Sequence, residues 1–194
     1  MNNVGLELRT IASRLTLIAA ELGGEDVWDR DISAELARND NCPSLLRNGW
    51  WQRRLDQIDG VTIHHTLSHS PHQTAAYYVT KGGGGRPSIP YHFWITETGE
   101  VLLCLALTEG CWHDHTGHRN THVSVGLAGS LHKRRPTEAQ LEAAVRVTRW
   151  LVHHTVMYVT RERVKGHCDY ARTVCPGWNA VGWQQDFYEM LDRW

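Results

Sequence analysis

Val61-Thr62-Ile63-His64-His65-Thr66 and Gly166-His167-Cys168-Asp169-Tyr170-Ala171-Arg172-Thr173-Val174-Cys175-Pro176-Gly177 are the two stretches on which the reading of this chain turns. The first reads as a strand, because β-branched residues dominate it and Asp59-Gly60 in front is a turn signal. Side chains alternate along a strand, so Thr62, His64 and Thr66 share one face and Val61, Ile63 and His65 the other. His65 therefore belongs with the apolar face in a packed, hydrogen-bonded role, and His64 is the candidate ligand. In the second stretch His167 and Cys175 are too far apart for adjacent turns of one helix, so a loop must fold back between them, and Pro176-Gly177 suits such a loop. Together the two stretches offer two imidazoles and a thiolate that could close on one zinc ion. Catalytic zinc sites use three protein ligands and leave the fourth position to water, whose pKa falls to about 7.

Working outward, strands are predicted near 61–66, 91–96, 101–107 and 123–128, with a helix near 73–80 between the first two. Thr137 and Gln140 behind Pro136 form a capping box that opens a helix with the apolar stripe Leu141, Val145, Thr148, Leu151, Val152 and Val156. A last helix over about 180–193 buries Trp183, Phe187 and Leu191. This order of elements predicts a three-layer α/β domain with a central mixed sheet flanked by helices. Ahead of it, residues 4–22 read as an amphipathic helix with Val4, Leu8, Ile11, Leu15, Ile18 and Leu22 at alternating spacings of four and three, stopped by Gly23-Gly24. A polar linker then runs to about Ser44. The helical stripe is expected to dock on the rest of the chain or on a second copy, which would make a homo-oligomer.

Ile63–Thr66 (IHHT), Pro90–Thr96 (PYHFWIT), Ser124–Gly129 (SVGLAG) and Gly166–Gly177 (GHCDYARTVCPG), in that order, resemble the zinc-dependent N-acetylmuramoyl-L-alanine amidases of the type 2 family. That family includes phage lysozyme-type amidases and the animal peptidoglycan recognition proteins. The resemblance runs from about Gly49 to the C-terminus and divides the chain into an N-terminal helix and linker, 1–45, and a zinc amidase domain, 46–194. It implies a peptidoglycan recognition protein-like fold, Zn2+ as cofactor and peptidoglycan as substrate. The zinc ligands would be His64, His167 and Cys175. The catalytic tyrosine falls on Tyr91, and a second catalytic position, Lys in some members and Thr in others, falls on Thr173. The substrate-contacting His falls on His113, with His115 and His118 close by. The implied reaction is hydrolysis of the amide between N-acetylmuramic acid and L-alanine, by a phage-type endolysin. A non-catalytic peptidoglycan-binding module and a cytoplasmic enzyme that recycles muropeptides are the alternatives.

Other features take plainer readings. His153-His154 lies at the end of a helix, where polar groups suit exposed carbonyls. Cys168 reads as a small buried residue, since adjacent side chains such as His167 and Cys168 rarely face each other. Gly82–Gly85 with Arg86-Pro87 lacks the Lys-Ser or Lys-Thr of a phosphate loop and reads as a mobile loop beside the substrate groove. Of the five cysteines, Cys104 and Cys111 could pair. A net charge of -1 gives no general attraction to nucleic acid, so recognition must come from a shaped groove. Glu7, Arg9, Arg14 and Glu21 interrupt any membrane span at the N-terminus, and no export signal is visible. The expectation is residence in the cytoplasm until release, followed by action on the cell wall.

Overall fold

The computed structural model describes residues 26–39, 42, 51–154 and 156–193. The predicted helix over 4–22 lies outside them. In chain order the elements are β1 (Arg30–Asp31), β2 (Gly60–His65), α1 (Pro71–Val79), β3 (Phe93–Ile95), β4 (Val101–Leu103), β5 (His122–Leu127), α2 (Glu138–His153), β6 (Val164–Gly166), α3 (Trp178–Val181) and α4 (Gln184–Asp192). The strands form one mixed sheet in the order β1-β4-β3-β5-β2-β6, in which β3 and β4 pair antiparallel and every other neighbouring pair is parallel.

Alternation along β2 and β5 divides the core. Val61, Ile63, Val123 and Val125 pack with Val145, Leu151, Phe187 and Leu191 of α2 and α4. Tyr91, Trp94 and Leu102 pack on the opposite side with Ala75 of α1 and with Ile32 and Leu36. Each fully buried aliphatic or aromatic side chain contributes about 1.5 to 3 kcal/mol, so both layers hold the sheet from which the site projects.

Within the described residues the predicted elements are present with shifted ends. α1 starts earlier than predicted because Ser70 caps it, accepting from the Gln73 amide, and Pro71 occupies its first turn. Tyr91 precedes β3 instead of lying on it, and β4 stops at Leu103. Thr137 caps α2 as expected, but the Gln140 side chain does not return to it. The Gln140 amide donates to the carbonyls of Ile95 and Ala128 and ties the helix to the sheet. The last helix divides at Gly182, whose φ of 70° closes α3 before α4 begins. Within the stretch read as a linker, Arg30 and Asp31 form an edge strand beside β4, and Ile32 behind them is buried.

Gly82–Gly85 forms a turn, with the Gly83 and Gly85 amides donating to the Thr80 carbonyl. Cys104 and Cys111 are both buried free thiols, so the pairing expected as an option is not formed. Cys168 is only half-buried. Among the described residues, no helix is long and apolar enough to cross a membrane.

Candidate metal and catalytic centre

β2 lies between β5 and β6, and it delivers His64 to the side of the sheet that carries Tyr91. The loop after β6 carries His167 and folds back to place Cys175 beside β2, where its sulfur meets the His65 amide; the Cys175-Pro176 bond is cis. The Cys168 amide donates to the Cys175 carbonyl at 2.7 Å and closes this loop. As a result one ligand atom each from His64, His167 and Cys175 lie within 4.8 Å of one another, a group that could hold a metal ion.

The donor chemistry fits zinc. Nitrogen at about 2.05 Å and sulfur at about 2.3 Å on a tetrahedral zinc are about 3.5 Å apart, and His64 Nδ1 is 3.5 Å from Cys175 Sγ. Burial, then the neighbouring His167 and His65, pushes His64 well below the ordinary histidine range, so its imidazole is neutral with a free lone pair. His167 is lowered too, chiefly by burial. Burial pushes the Cys175 thiol up to about 12. A cation at the site would reverse this, because a coordinated thiol is deprotonated. The His65 amide already donates to the sulfur at 3.3 Å.

His65 is packed, as predicted, but its Nδ1 has no hydrogen-bond partner among the described residues. It is buried, and its ring lies 5.3 Å from that of His132. Its imidazole points away from the cluster that its own amide supports.

The Tyr91 ring stands 5.7 Å from the ring of His64. Its place depends on Gly126, which pairs with His64 across β2 and β5. A Cβ at Gly126 would meet the Tyr91 ring and the Thr66 methyl, both at 2.9 Å. Burial holds the Tyr91 hydroxyl well above its usual pKa, so it remains a donor at neutral pH. Thr173 is half-buried, and its hydroxyl accepts from the Cys175 amide at 3.2 Å, which leaves its O–H to donate elsewhere.

His113, the expected substrate contact, lies beside His64. Its side chain is fully buried, and Nδ1 lies 3.2 Å from His64 Nε2. His115 is the exposed histidine of this loop, while His118 stacks on Tyr170 at 3.7 Å. Neighbouring Asp114 is also buried, accepts from the Thr116 amide at 2.7 Å, and acts on His167 to raise its pKa. Asp114 and Gly126 escaped the sequence reading. The Asp114-His115-Thr116 turn was a local signal for the first, whereas the packing of Tyr91 on Gly126 has none.

The family model described as N-acetylmuramoyl-L-alanine amidase matches residues 54–178, a span that contains the whole cluster. The chain belongs to the N-acetylmuramoyl-L-alanine amidase family. As an enzyme of this family it shares its fold with solved amidases. N-acetylmuramoyl-L-alanine amidase LysC from Clostridium intestinale URNW is similar with a TM-score of 0.62 and 18% identity over 76% of this chain and 95% of that one. The Ph2119 endolysin from the Thermus scotoductus MAT2119 bacteriophage gives 0.60 and 17% over 73% and 89%. Drosophila PGRP-LB gives 0.59 and 19% over 71% and 85%. No curated protein sequence matches this amidase.

Proposed function

We propose that this amidase hydrolyses the bond between N-acetylmuramic acid and L-alanine in peptidoglycan, with one zinc held by His64, His167 and Cys175, and that it works as a phage-type endolysin. The observation that carries the reading is the convergence of those three side chains within 4.8 Å, beside a buried tyrosine. Zinc at such a site supplies Lewis acidity, which polarises a carbonyl and acidifies a water.

The chain's own residues supply the rest. In this reading His64 Nε2–H donates to His113 Nδ1, which leaves Nδ1 of His64 as the ligand atom and orients the ring. The His65 amide stabilises the Cys175 thiolate. Tyr91 donates to the oxyanion that develops on the cleaved amide, and the Thr173 hydroxyl supplies a second donor. Because Thr carries no positive charge, stabilisation rests on hydrogen bonding and on the metal. For substrate contact this reading assigns the exposed His115 and Arg86, which donates to the Trp112 carbonyl and lies over the Tyr78 ring.

A non-catalytic peptidoglycan-binding module is the second reading, favoured by the fold shared with Drosophila PGRP-SA. Incubation with purified peptidoglycan separates the two. Hydrolysis releases new L-alanine amino termini, whereas the binding module retains peptidoglycan without releasing any. Faster turnover on intact wall than on soluble muropeptides supports the endolysin role, and the reverse order supports recycling.

A further inference from the structure

Asp114 carries a carboxylate that the chemistry proposed for the centre does not use. Its side chain is fully buried, yet only one of its two oxygens is satisfied. Oδ1 accepts from the Thr116 amide at 2.7 Å and from the Thr116 hydroxyl at 2.9 Å, which fixes the orientation of the group. Oδ2 has no hydrogen-bond partner among the described residues. It stands 3.4 Å from His113 Nδ1 without a hydrogen bond, and in the proposed centre that nitrogen already accepts from His64. A buried carboxylate is costly unless each oxygen meets a donor or a cation.

His167 has the complementary lack. Both ring nitrogens of His64 are committed, whereas the His167 imidazole has no hydrogen-bond partner among the described residues and meets the His64 ring at 4.7 Å. A histidine that gives one nitrogen to a metal presents the other as an N–H, which normally donates to a carboxylate, a carbonyl or water. The carboxylate that acts on His167 is that of Asp114, which raises its pKa against the effect of burial. A zinc dication with one thiolate keeps a positive charge, which a carboxylate beside the ligands offsets.

We propose that Asp114 is a positioning residue of the metal centre: Oδ2 accepts the N–H of the nitrogen that His167 does not give to the metal and holds that ring in its ligating orientation. No contact locks the His167 ring, so rotation can bring its N–H to Oδ2 while Thr116 keeps the carboxylate still. The inference rests on the assignment of His64, His167 and Cys175 as ligands.

Chelator competition for zinc, NMR of the protein labelled with 15N at histidine, and melting of the metal-free protein test it on the full chain. Asp114→Asn is the informative variant, since its amide oxygen still accepts from Thr116 while its NH2 cannot accept from His167. Its zinc affinity should fall about 10- to 100-fold. The metal-free variant should melt no lower than the metal-free wild type, because an unpaired buried charge has been removed. In the zinc-loaded wild type the His167 ring N–H should appear as a slowly exchanging proton, and Asp114→Asn should lose it to fast exchange. Unchanged zinc affinity overturns the proposal, as does a metal-free variant that melts lower, which would make Asp114 a structural residue. A protected proton on His113 Nδ1 in place of His167 also overturns it, and this reading of the wild type decides the matter if Asp114→Asn does not fold. A wild type that takes up no zinc removes the ligand assignment and this inference together, whereas one that binds zinc with an unprotected His167 N–H removes this inference alone.

Discussion

His64 meets Cys175 through Nδ1, at 3.5 Å, and meets His113 through Nε2, at 3.2 Å, so both ring nitrogens of one buried imidazole are committed. The first contact has the spacing of two ligands on one zinc, and the second occupies the nitrogen that faces away from Cys175. His65, next in the chain, faces the other way. His64→Ala should therefore abolish zinc binding, while His65→Ala should retain zinc and lose about 1 to 3 kcal/mol of stability from the cavity left by a buried ring. Metal content and urea midpoints of the two variants check this, and exchanged phenotypes would refute the facing of β2.

His113→Ala should weaken zinc binding about 10- to 100-fold, the usual effect of losing a hydrogen-bond partner of a ligand histidine. Chelator competition on the folded variant measures it directly. An unchanged zinc affinity combined with a raised KM would return His113 to substrate contact.

Tyr91→Phe should keep zinc and the fold yet lower kcat by about 10²- to 10³-fold, the scale for removing one donor to an oxyanion. Gly126→Ala should damage the same step indirectly, because the added methyl displaces the Tyr91 ring. Wild-type turnover in Tyr91→Phe would remove the hydroxyl from the mechanism.

His122 makes stability depend on pH. It is buried beside Thr62, and burial with neighbouring His118 lowers its pKa to about 4. The unfolded imidazole, with a pKa near 6.5, takes up a proton before the folded one does. Its contribution is thus complete above pH 6.5 and is lost as pH falls toward 4, by about 2 to 3 kcal/mol at most. Urea midpoints from pH 7 to 4 should fall less steeply in His122→Gln than in the wild type. Parallel slopes would show that another group carries the dependence.

The parts of the fold legible in the sequence are those long enough to show a period. β2 and β5 show alternation, and α2 shows a stripe of Leu141, Val145, Thr148 and Leu151, all buried. β1 and β6 are short and carry Arg30, Asp31 and Lys165, so their place is set by the neighbouring strand and not by their own residues. In the site, strand alternation separated His64 from His65, and the family pattern supplied His167, Cys175, Tyr91 and Thr173. The burial of His113 against His64 and the room that Gly126 leaves for Tyr91 are contacts between distant segments, which no local spacing encodes.

The most direct test is the cleavage of purified peptidoglycan by the protein as isolated, after stripping of metal, and after restoration of zinc. The account expects new L-alanine amino termini without new reducing sugar ends, loss of that release on stripping, and its return with zinc. Release that persists in metal-free protein, or reducing ends in place of amino termini, would contradict it.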